Sequence, residues 1–453
     1  MESYDVIVCG GGTAGMIAAA AAARTGARTL VVEREGYLGG TATYGIPFLG
    51  FFSGNGQQVV GGLAQKLVER MTAAGGCSGH VRGGEWKAKI SADKAHEFSL
   101  TPFDPECLKY AAQEMVLESG ADLLLHALLS GATVEQGRIR SIECMTVQGR
   151  MDLRATQYVD CSGDAMLAWM AGYPTEMRGA GHMQNVTSII RVGNVDSGAL
   201  LDNLLHSRGI RGLEDWHIRI VRGPLLGGRE GIVHLAGHAE PEEGGKLLTF
   251  TAVGWRPQEM SFNITRTVDV DPTNAADITR AEIEERKNVH RVVGSLKKHI
   301  HGFADAFLLS TSTRVGIREG RRIRGLFTLS EEEVLSGSEF PDAIARGAYP
   351  IDIHDPKGGK TQFSFIRGGG SYGIPYRCLI PDGSQNLLVA GRCVSTTGKA
   401  LGSVRLMPCC MALGQAAGSA AALAAAADVP PAELPIGRLR DHLLQQGEVL
   451  DLP

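Results

Sequence analysis

The sequence predicts an α/β fold, and three features of its first forty residues support that prediction. Residues 4–8 are apolar and β-favouring, as in a buried strand. Glycines with the spacing GxGxxG follow at residues 10–15, and residues 14–24 are almost all alanine, which favours a helix. Residues 29–32 form a second apolar strand. A strand, a glycine turn, a helix and a strand in this order predict a Rossmann-like unit that binds a dinucleotide.

Each part of this unit has a physical role in holding a dinucleotide. Gly10 permits the tight turn, Gly12 lets a pyrophosphate approach the backbone, and Gly15 lets the helix pack closely on the strand. The helix N-terminus offers unpaired N–H groups and a positive dipole end to the phosphates. Glu33, about 20 residues further on, is placed to accept hydrogen bonds from the adenosine ribose. The predicted contacts of this unit also include Thr13, Ala14 and Arg34.

The composition is that of an ordinary globular protein. Hydrophobic residues make up 43% of the 453 positions, and the length gives room for two domains. The net charge of −4 and the absence of a basic run argue against nucleic acid as a partner. The nine cysteines include no CxxC pair, so we expect no metal site, no disulfide framework and a cytoplasmic location. We find no signal peptide, and we expect the apolar residues 411–427 to form a buried helix and not a membrane span.

The remainder of the first 173 residues continues the same pattern. Gly39 and Gly40, with two threonines nearby, indicate backbone that lies flat against a ligand; an ordinary loop is the alternative. Helices are predicted at residues 63–74 and 104–119, and an antiparallel meander leads to a separate strand at 156–161. That strand ends in the tripeptide SGD, which predicts a second turn close to the dinucleotide.

Between residues 174 and 384 the pattern changes to mixed strands and helices, including a helix predicted at 274–300. The first pattern then returns, with a strand at 386–390 and a long helix at 407–427 that is opened by a proline. We therefore expect four segments. They are a discontinuous nucleotide-binding domain (1–173 and 385–430), an inserted α+β substrate domain (174–384) and a C-terminal tail (431–453).

Longer motifs make the prediction more specific. The chain resembles the bacterial FAD-dependent oxidoreductases in CGGGTAG, LGGTAT, DCSGDAMLA, NITRTVDVDPTNAADITRAEIEERK, TRVGIREGRRIRGLFTLSEEEVLSG, PDAIARGAYPIDIHDP, YGIPYRCLIP and LLVAGRCVSTTGKALGSVRLMPCCMALGQAAG. The resemblance implies FAD as the cofactor. It also implies a flavin-binding fold of the glutathione reductase and fumarate reductase type, with a substrate domain inserted into it.

The resemblance further implies which residues contact FAD. Residues 402–407 resemble the stretch that faces the pyrimidine end of the isoalloxazine, where the dipole of the next helix would stabilise negative charge. Relatives carry a histidine at or next to Gly398; its absence here would leave any proton transfer to another group. Outside the first unit, the expected FAD contacts are Gly39, Gly40, Thr41, Ala42, Leu128, Ser162, Gly163, Asp164, Gly391, Arg392, Ser403 and Met407.

Arg405 and His354 are the first two catalytic candidates. Arg405 would act at the reduced flavin or hold a substrate carboxylate, and an interdomain ion pair is the alternative. His354 lies between two aspartates in IDIHDP and is a candidate general acid or base, or else a structural turn residue. By the same resemblance, Gln184 and Asn185 are expected near the flavin.

Arg314 and Tyr372 complete the catalytic candidates. Arg314, Arg318 and Arg321 have the spacing of one face of a helix, which would suit an anionic substrate; a salt-bridged surface is the alternative. Tyr372 follows a glycine-rich run and would reach the substrate from a flexible loop, unless it packs in the core as aromatic residues more often do.

Two absences narrow the chemistry. No second GxGxxG precedes a helix, so we expect no separate Rossmann site for NAD(P)H. Cys409 and Cys410 are adjacent, and we expect reduced thiols there and not a redox disulfide.

The expected reaction is hydride transfer between flavin N5 and a small organic substrate. The second substrate would be oxygen, a quinone or a protein, with no role for a membrane and with a homo-oligomer left open. A first alternative is an NAD(P)H-dependent flavin monooxygenase, although the DG motif usual in those enzymes is absent. A second is a flavin-bound redox subunit that is not catalytic without a partner.

Overall fold

The computed structural model describes residues 3–82, 85–87, 99–179, 181–206, 218–239, 248–357 and 361–452. In chain order the strands are β1 (Ser3–Cys9), β2 (Thr29–Val32), β3 (Phe48–Leu49), β4 (Val81–Arg82), β5 (Glu85–Lys87), β6 (Ser99–Thr101), β7 (Asp122–Leu124), β8 (Leu128–Glu135), β9 (Arg138–Thr146), β10 (Gly149–Asp160), β11 (Thr175–Glu176), β12 (Ile189–Gly193), β13 (Ile218–Pro224), β14 (Glu230–Ala239), β15 (Leu248–Arg256), β16 (Glu259–Asn263), β17 (Phe307–Thr311), β18 (Arg322–Ile323), β19 (Ala343–Gly347), β20 (Ile351–His354), β21 (Thr361–Ser364), β22 (Tyr372–Pro375) and β23 (Leu387–Val389). The α-helices are α1 (Thr13–Arg24), α2 (Gly62–Ala73), α3 (Pro105–Glu118), α4 (Met166–Met170), α5 (Ser197–His206), α6 (Ala275–His299), α7 (Glu331–Ser336), α8 (Leu401–Val404), α9 (Met407–Ala427) and α10 (Ile436–Gln445). Short 3-10 helices lie at Gly40–Tyr44, Arg367–Gly369, Tyr376–Leu379 and Pro431–Glu433.

The first sheet is parallel at its centre. Its strands follow the order β7-β2-β1-β10, with β23 beside β10 and every neighbouring pair parallel. The sequence predicted separate strands at the end of the meander, but β10 is one 12-residue strand. Its start pairs antiparallel with β9 and its end pairs parallel with β1. The carboxyl ends of the parallel strands meet at one edge, where ligands bind in open α/β sheets.

Helices α1 and α9 cover one face of this sheet, and their small side chains explain how. A Cβ added to Gly414 would lie 2.2 Å from the carbonyl oxygen of Ala14, and one on Gly418 would lie 2.1 Å from that of Ala18. Backbones this close leave no room for larger side chains at the contact. The alanine-rich stretch predicted as the first helix therefore packs directly on the last long helix.

Helix α9 has the bounds that the sequence predicted, residues 407–427. It is the one helix in the described part of the chain that is long and apolar enough to cross a membrane, but 89% of its most apolar window is buried inside the protein. The prediction of a buried helix is confirmed.

The second sheet is antiparallel, in the order β17-β12-β16-β15-β14-β13-β5. Helix α6 confirms the helix predicted at 274–300, and the side chain of Asn274 caps it by accepting a hydrogen bond from Ala276 N at 2.9 Å. The helix packs its apolar side, including Val289, against the sheet residues Ile190 and Phe262. A mixed sheet-and-helix unit follows the first one, as the composition of this region indicated.

Some segments that were assigned to one predicted domain pack with the other domain. Strand β5, from the first 173 residues, pairs with β13 of the second sheet. Buried residues between 329 and 380 share one hydrophobic core with α1 and α9. The C-terminal tail also docks on the first unit, where Gly62 N donates to Gly447 O at 2.8 Å and Arg346 Nη1 donates to Leu450 O at 2.8 Å.

Candidate active site

The glycine turn after β1 leaves its backbone bare toward the sheet edge. Gly10 has a φ of +100°, and a Cβ on Gly15 would lie 1.7 Å from Gly10 O, so both positions need glycine. At Gly12 an added Cβ would meet no atom closer than Gly40 Cα, at 3.9 Å. No side chain caps the N-terminus of α1. Free N–H groups beside an open position fit a pyrophosphate.

Glu33 and the pair Gly39–Gly40 hold this glycine turn in place through hydrogen bonds and close backbone contact. Glu33 Oε2 accepts from Gly11 N at 2.7 Å, and Gly39 N donates to Gly11 O at 2.9 Å. The Thr13 hydroxyl donates to Gly39 O at 3.3 Å. A Cβ on Gly40 would approach Gly12 Cα to 2.9 Å, so the GG segment lies flat against the turn. Of the neighbouring predicted contacts, Ala14 and Ala42 are buried, whereas Arg34 and Thr41 are exposed.

The turns after β10 and β23 form a second wall. Arg392 Nη2 lies 2.9 Å from Asp164 Oδ1, and Arg392 Nη1 is a buried donor with no partner among the described residues. Gly391 lies against Ala14 of the first helix, since its Cβ would be 3.1 Å from the Ala14 Cβ. Ser162 and Gly163, in the same wall, are half-buried. An unpartnered guanidinium donor beside the glycine turn is a further feature that fits a phosphate group.

Three further predicted cofactor contacts are Leu128, Ser403 and Met407. Leu128 is 43% exposed at the start of β8, and the N–H of its neighbour Ala127 donates to Glu33 O at 3.0 Å, so this part of the chain lies beside the end of β2. The Ser403 hydroxyl is engaged inside the protein by Tyr372, at 2.6 Å, and by a backbone carbonyl. Met407 is half-buried at the N-terminus of α9, which has no side-chain cap.

A buried polar cluster lies beside the N-terminal end of α9. Arg405 Nη2 donates to Asp352 O at 3.1 Å and lies 3.5 Å from Asp352 Oδ2. His354 Nε2 lies 3.5 Å from the same Oδ2. Gln184 Oε1 accepts from His354 N at 3.0 Å and from Arg405 Nη2 at 3.4 Å. The structure thus brings together Arg405, His354 and Gln184, which the sequence had singled out separately.

Arg318 lies deeper in the same cluster. It is 7% exposed and donates to Asn185 O at 2.8 Å and to Asn263 Oδ1 at 3.1 Å. Burial and then the positive charge of its neighbour Arg266 lower the pKa of Arg318. A guanidinium still keeps its proton at neutral pH. Arg318 is therefore a buried cation whose hydrogen-bond partners are neutral oxygens.

Electrostatics fix the charge states of Asp352 and His354. Burial would raise the pKa of Asp352, but His354, Arg405 and Arg318 together outweigh it and lower the pKa to about 2. Burial and then the charge of Arg318 lower the pKa of His354 to about 3. Near pH 7, Asp352 is therefore an anion and His354 is neutral, so His354 lacks the second ring proton that a general acid would donate.

The helix that was predicted to carry Arg314, Arg318 and Arg321 does not exist. The chain there is extended, and Gly316 forms an isolated bridge with Thr187. The glycines of the segment explain the error, because each disfavours a helix and permits close backbone contact.

The three arginines consequently separate. Arg314 pairs with Glu35 at 2.8 Å, close to the end of β2, and Arg321 lies over the Trp169 ring at 4.5 Å. Of the three, Arg318 alone lies in the polar cluster. The assignment of Arg314 to the substrate relied on a shared helix face, and that premise is wrong.

Tyr372 and the cysteine pair are core residues. Tyr372 lies in β22 and is fully buried, so the expectation of a flexible loop is wrong. Cys409 and Cys410 are free, buried thiols. Burial raises the pKa of Cys410 to about 12, which keeps it protonated and unreactive.

Sequence reasoning missed three charged residues around the cluster. Arg178 and the fully buried Glu319 form an ion pair, and a Cβ on Gly398 would meet Arg178 Nε at 3.0 Å. The Arg178 side chain thus occupies the space beside Gly398, where the resemblance led us to expect a histidine. Arg266 lies in the quoted motif NITRT and Glu319 in the quoted motif TRVGIREG, and those motifs were the available signals. Glu319 was considered only as a salt-bridge partner of the nearby arginines, and Arg178 lies in none of the quoted motifs.

Comparisons with known proteins agree with the dinucleotide site. A family model described as FAD dependent oxidoreductase matches residues 5–443. Among solved structures, a flavin-dependent brominase shares 13% identity with a TM-score of 0.49, covering 97% of this chain and 83% of its own. A geranylgeranyl bacteriochlorophyll reductase-like protein from Thermoplasma acidophilum shares 12% identity with a TM-score of 0.46, covering 99% and 85%. A halogenase solved in complex with FAD shares 12% with a TM-score of 0.43, covering 98% and 73%. At such values we take no activity from these three structures, but the family model spans nearly the whole chain. The protein belongs to the FAD dependent oxidoreductase family and uses FAD.

Proposed function

We propose that this flavoprotein transfers a hydride between FAD and a small organic anion, as a dehydrogenase or oxidase. When bound, FAD supplies the two-electron chemistry at N5. The observation that carries the proposal is the unmatched positive charge of Arg318. Arg318 is buried, and its hydrogen bonds among the described residues go to the neutral oxygens of Asn185 and Asn263. Arg266 and Arg405 add positive charge around it, and Asp352 and Glu285 add negative charge.

A buried charge without a counterion is costly, so a bound anion would stabilise the site. Among the described residues, no carboxylate forms an ion pair with Arg318, whose hydrogen bonds go to amide oxygens. A monoanionic group on the substrate would supply a negative charge. A doubly charged anion would bring a second negative charge close to Asp352, which is itself an anion.

Arg405 is the residue that we assign to direct contact with this anion. Its side chain is 11% exposed and that of Asp352 is 15% exposed, whereas Arg318 lies behind them. Asp352 holds the Arg405 guanidinium in place through Nη2, and Arg405 Nε is left free to donate to a carboxylate. His354, neutral and hydrogen-bonded to Thr361 at Nδ1, would take part as a proton acceptor only after its pKa has risen. An anion near Arg318 would raise it.

The remaining assignments belong to the same proposal. We assign the flavin-binding unit to the glutathione reductase type, with the domain limits given above, and we place the protein in the cytoplasm. Oxygen, a quinone or a protein would serve as the second redox partner. We also propose the FAD contacts predicted between Gly10 and Met407, and the catalytic roles of Arg405 and His354. The bare glycine turn and the buried Arg405 cluster support these proposals.

Anaerobic flavin reduction tests this function. Small carboxylates should bleach the flavin absorbance of the holoprotein, and their uncharged amides should not. Replacement Arg405→Met should slow bleaching about a hundredfold or more while FAD content stays near that of the wild type, because truncating one partner of a buried ion pair costs about 2–5 kcal/mol. The exposed Arg324→Met is the matched control. Equal loss of FAD and of reduction rate would make Arg405 structural and remove the proposed role.

The same assay separates the two alternatives. A flavin monooxygenase would consume NAD(P)H and oxygen with the pure protein. A redox subunit would show no reduction with any carboxylate until a lysate fraction is added. Bleaching by amides as fast as by carboxylates would refute the anionic substrate.

A further inference from the structure

Three polar atoms in the Arg405 cluster have no hydrogen-bond partner among the described residues. They are Gln184 Nε2, Arg405 Nε and Asp352 Oδ1, and all three are shielded from solvent. Gln184 as a whole is 2% exposed. A buried polar atom without a partner costs about 1–3 kcal/mol, so three in one cluster indicate a ligand or ordered water that completes them.

The orientation of the Gln184 amide is fixed by its surroundings. Its oxygen faces two donors, the backbone N–H of His354 and the Arg405 guanidinium. Exchanging oxygen and nitrogen would place the NH₂ group against both of these donors. Nε2 is therefore the atom that remains free to donate.

The three atoms lie close together. Arg405 Nη2 is 3.4 Å from the Gln184 side-chain oxygen and 3.5 Å from Asp352 Oδ2. Gln184 Nε2, Arg405 Nε and Asp352 Oδ1 belong to the same amide, guanidinium and carboxylate groups as these contacting atoms, so they lie close to them. The cluster thus presents two donors, on Gln184 and Arg405, next to one anionic acceptor, on Asp352.

We propose that the anion bound here is a small hydroxycarboxylate: its carboxylate accepts from Arg405 Nε and Gln184 Nε2, and its hydroxyl donates to Asp352 Oδ1. This inference rests on the proposed function and names the class of its substrate. A plain carboxylate would leave the Asp352 oxygen facing apolar atoms. A 2-amino acid would satisfy that oxygen, but its zwitterion carries no net charge to match Arg318.

Calorimetric titration of the oxidised holoprotein tests the proposal with probes that cannot turn over. The key pair is 2-hydroxy-2-methylpropanoate and 2,2-dimethylpropanoate, which have nearly the same shape and lack a hydrogen on the substituted carbon. The hydroxy acid should bind about tenfold tighter or more, since a hydrogen bond to a charged group contributes about 1.5–3 kcal/mol. The matching 2-amino acid and the neutral 2-methylpropane-1,2-diol should bind more weakly than the hydroxy acid.

Each result distinguishes this inference from the proposed function. Equal affinity for the two anions would overturn the hydroxycarboxylate and leave an anionic substrate in place. If the amino acid bound most tightly, the donor to Asp352 Oδ1 would be an ammonium group and not a hydroxyl, which would overturn the proposal. No binding of either anion would overturn the anionic site itself.

Substitution of Asp352 gives a signature that misfolding cannot produce. In Asp352→Ala the preference for the hydroxy acid should fall to about one. The dimethyl acid should bind more tightly than it does to the wild type, because a negative charge has been removed. Asp352→Asn keeps an acceptor oxygen and should retain part of the preference. The exposed Asp122→Ala should change neither value, and an unchanged preference in Asp352→Ala would also refute the proposal.

Discussion

Glu448 makes the stability of the protein depend on pH in a direction that one substitution can test. Its carboxylate is buried where the C-terminal tail meets the start of α2, and neither oxygen has a hydrogen-bond partner among the described residues. Burial raises the pKa of Glu448 to about 7. The nearby N–H groups of Gly61 and Val449, which do not reach hydrogen-bonding geometry, lower this pKa only in part. We predict that Glu448→Gln stabilises the protein, and more so as the pH rises.

The sign and size of the expected change in the free energy of unfolding follow from proton linkage. A carboxyl whose pKa is higher in the folded state keeps its proton there while the unfolded chain loses it, so the contribution to stability falls as the pH rises from about 4.5 toward about 7. The ionisable side chain then costs about 1 kcal/mol near pH 5 and about 3 kcal/mol near pH 8. An amide has no such dependence.

Thermal unfolding of the wild type and the variant at these two pH values is the assay. For 453 residues, at about 2.1 cal/mol/K per residue, each kcal/mol moves Tm by about 1 °C. The variant should melt about 1 °C above the wild type near pH 5 and about 3 °C above it near pH 8. The exposed Glu433→Gln serves as the control from the same tail. A Tm difference that is equal at both pH values would refute the argument.

Four further predictions concern the cofactor cleft and the core beside it. Gly12→Ala should leave the melting of the FAD-free protein unchanged and weaken FAD binding at least tenfold, measured by flavin fluorescence, since its Cβ meets no protein atom but fills the phosphate position. Gly15→Ala should lower the yield of folded protein, because its Cβ would lie 1.7 Å from a backbone oxygen, and a stable FAD-free Gly15→Ala protein would contradict this. Arg314→Ala should speed FAD release several-fold by removing the ion pair with Glu35, and rates equal to those of Arg324→Ala would contradict it. Tyr372→Phe should lower Tm by about 1 °C and leave flavin reduction unchanged, because its hydroxyl serves only a buried hydrogen bond of about 1 kcal/mol.

The fold could be predicted where a pattern repeats along the chain. Alanine-rich sequence and an opening proline located α9 to the residue, and the spacing of apolar residues located α6 at 274–300. The arginine spacing at 314–321 misled, because spacing alone does not weigh the two glycines in that segment. The full length of β10 could not be predicted either, because its first half pairs with β9 and its second half with β1.

The candidate site could be predicted only in part. Arg405 and His354 carry recognisable local motifs, so the sequence singled them out. Their chemistry depends on partners distant in the chain. The Gln184 side chain accepts hydrogen bonds from both residues, and burial together with Arg318 lowers the pKa of His354. No local pattern states which of several arginines will be buried together, because that choice is made by tertiary packing.

The contact between α1 and α9 sets an order of events during synthesis. Ala14 and Gly414 touch, yet a ribosome must add about 400 residues between them, which takes about 20–80 s. Throughout that interval the alanine face of the first helix has no native cover. Until α9 is made, this face of α1 must be covered by chaperones or by temporary packing. A chain that ends before α9 would leave the same face exposed.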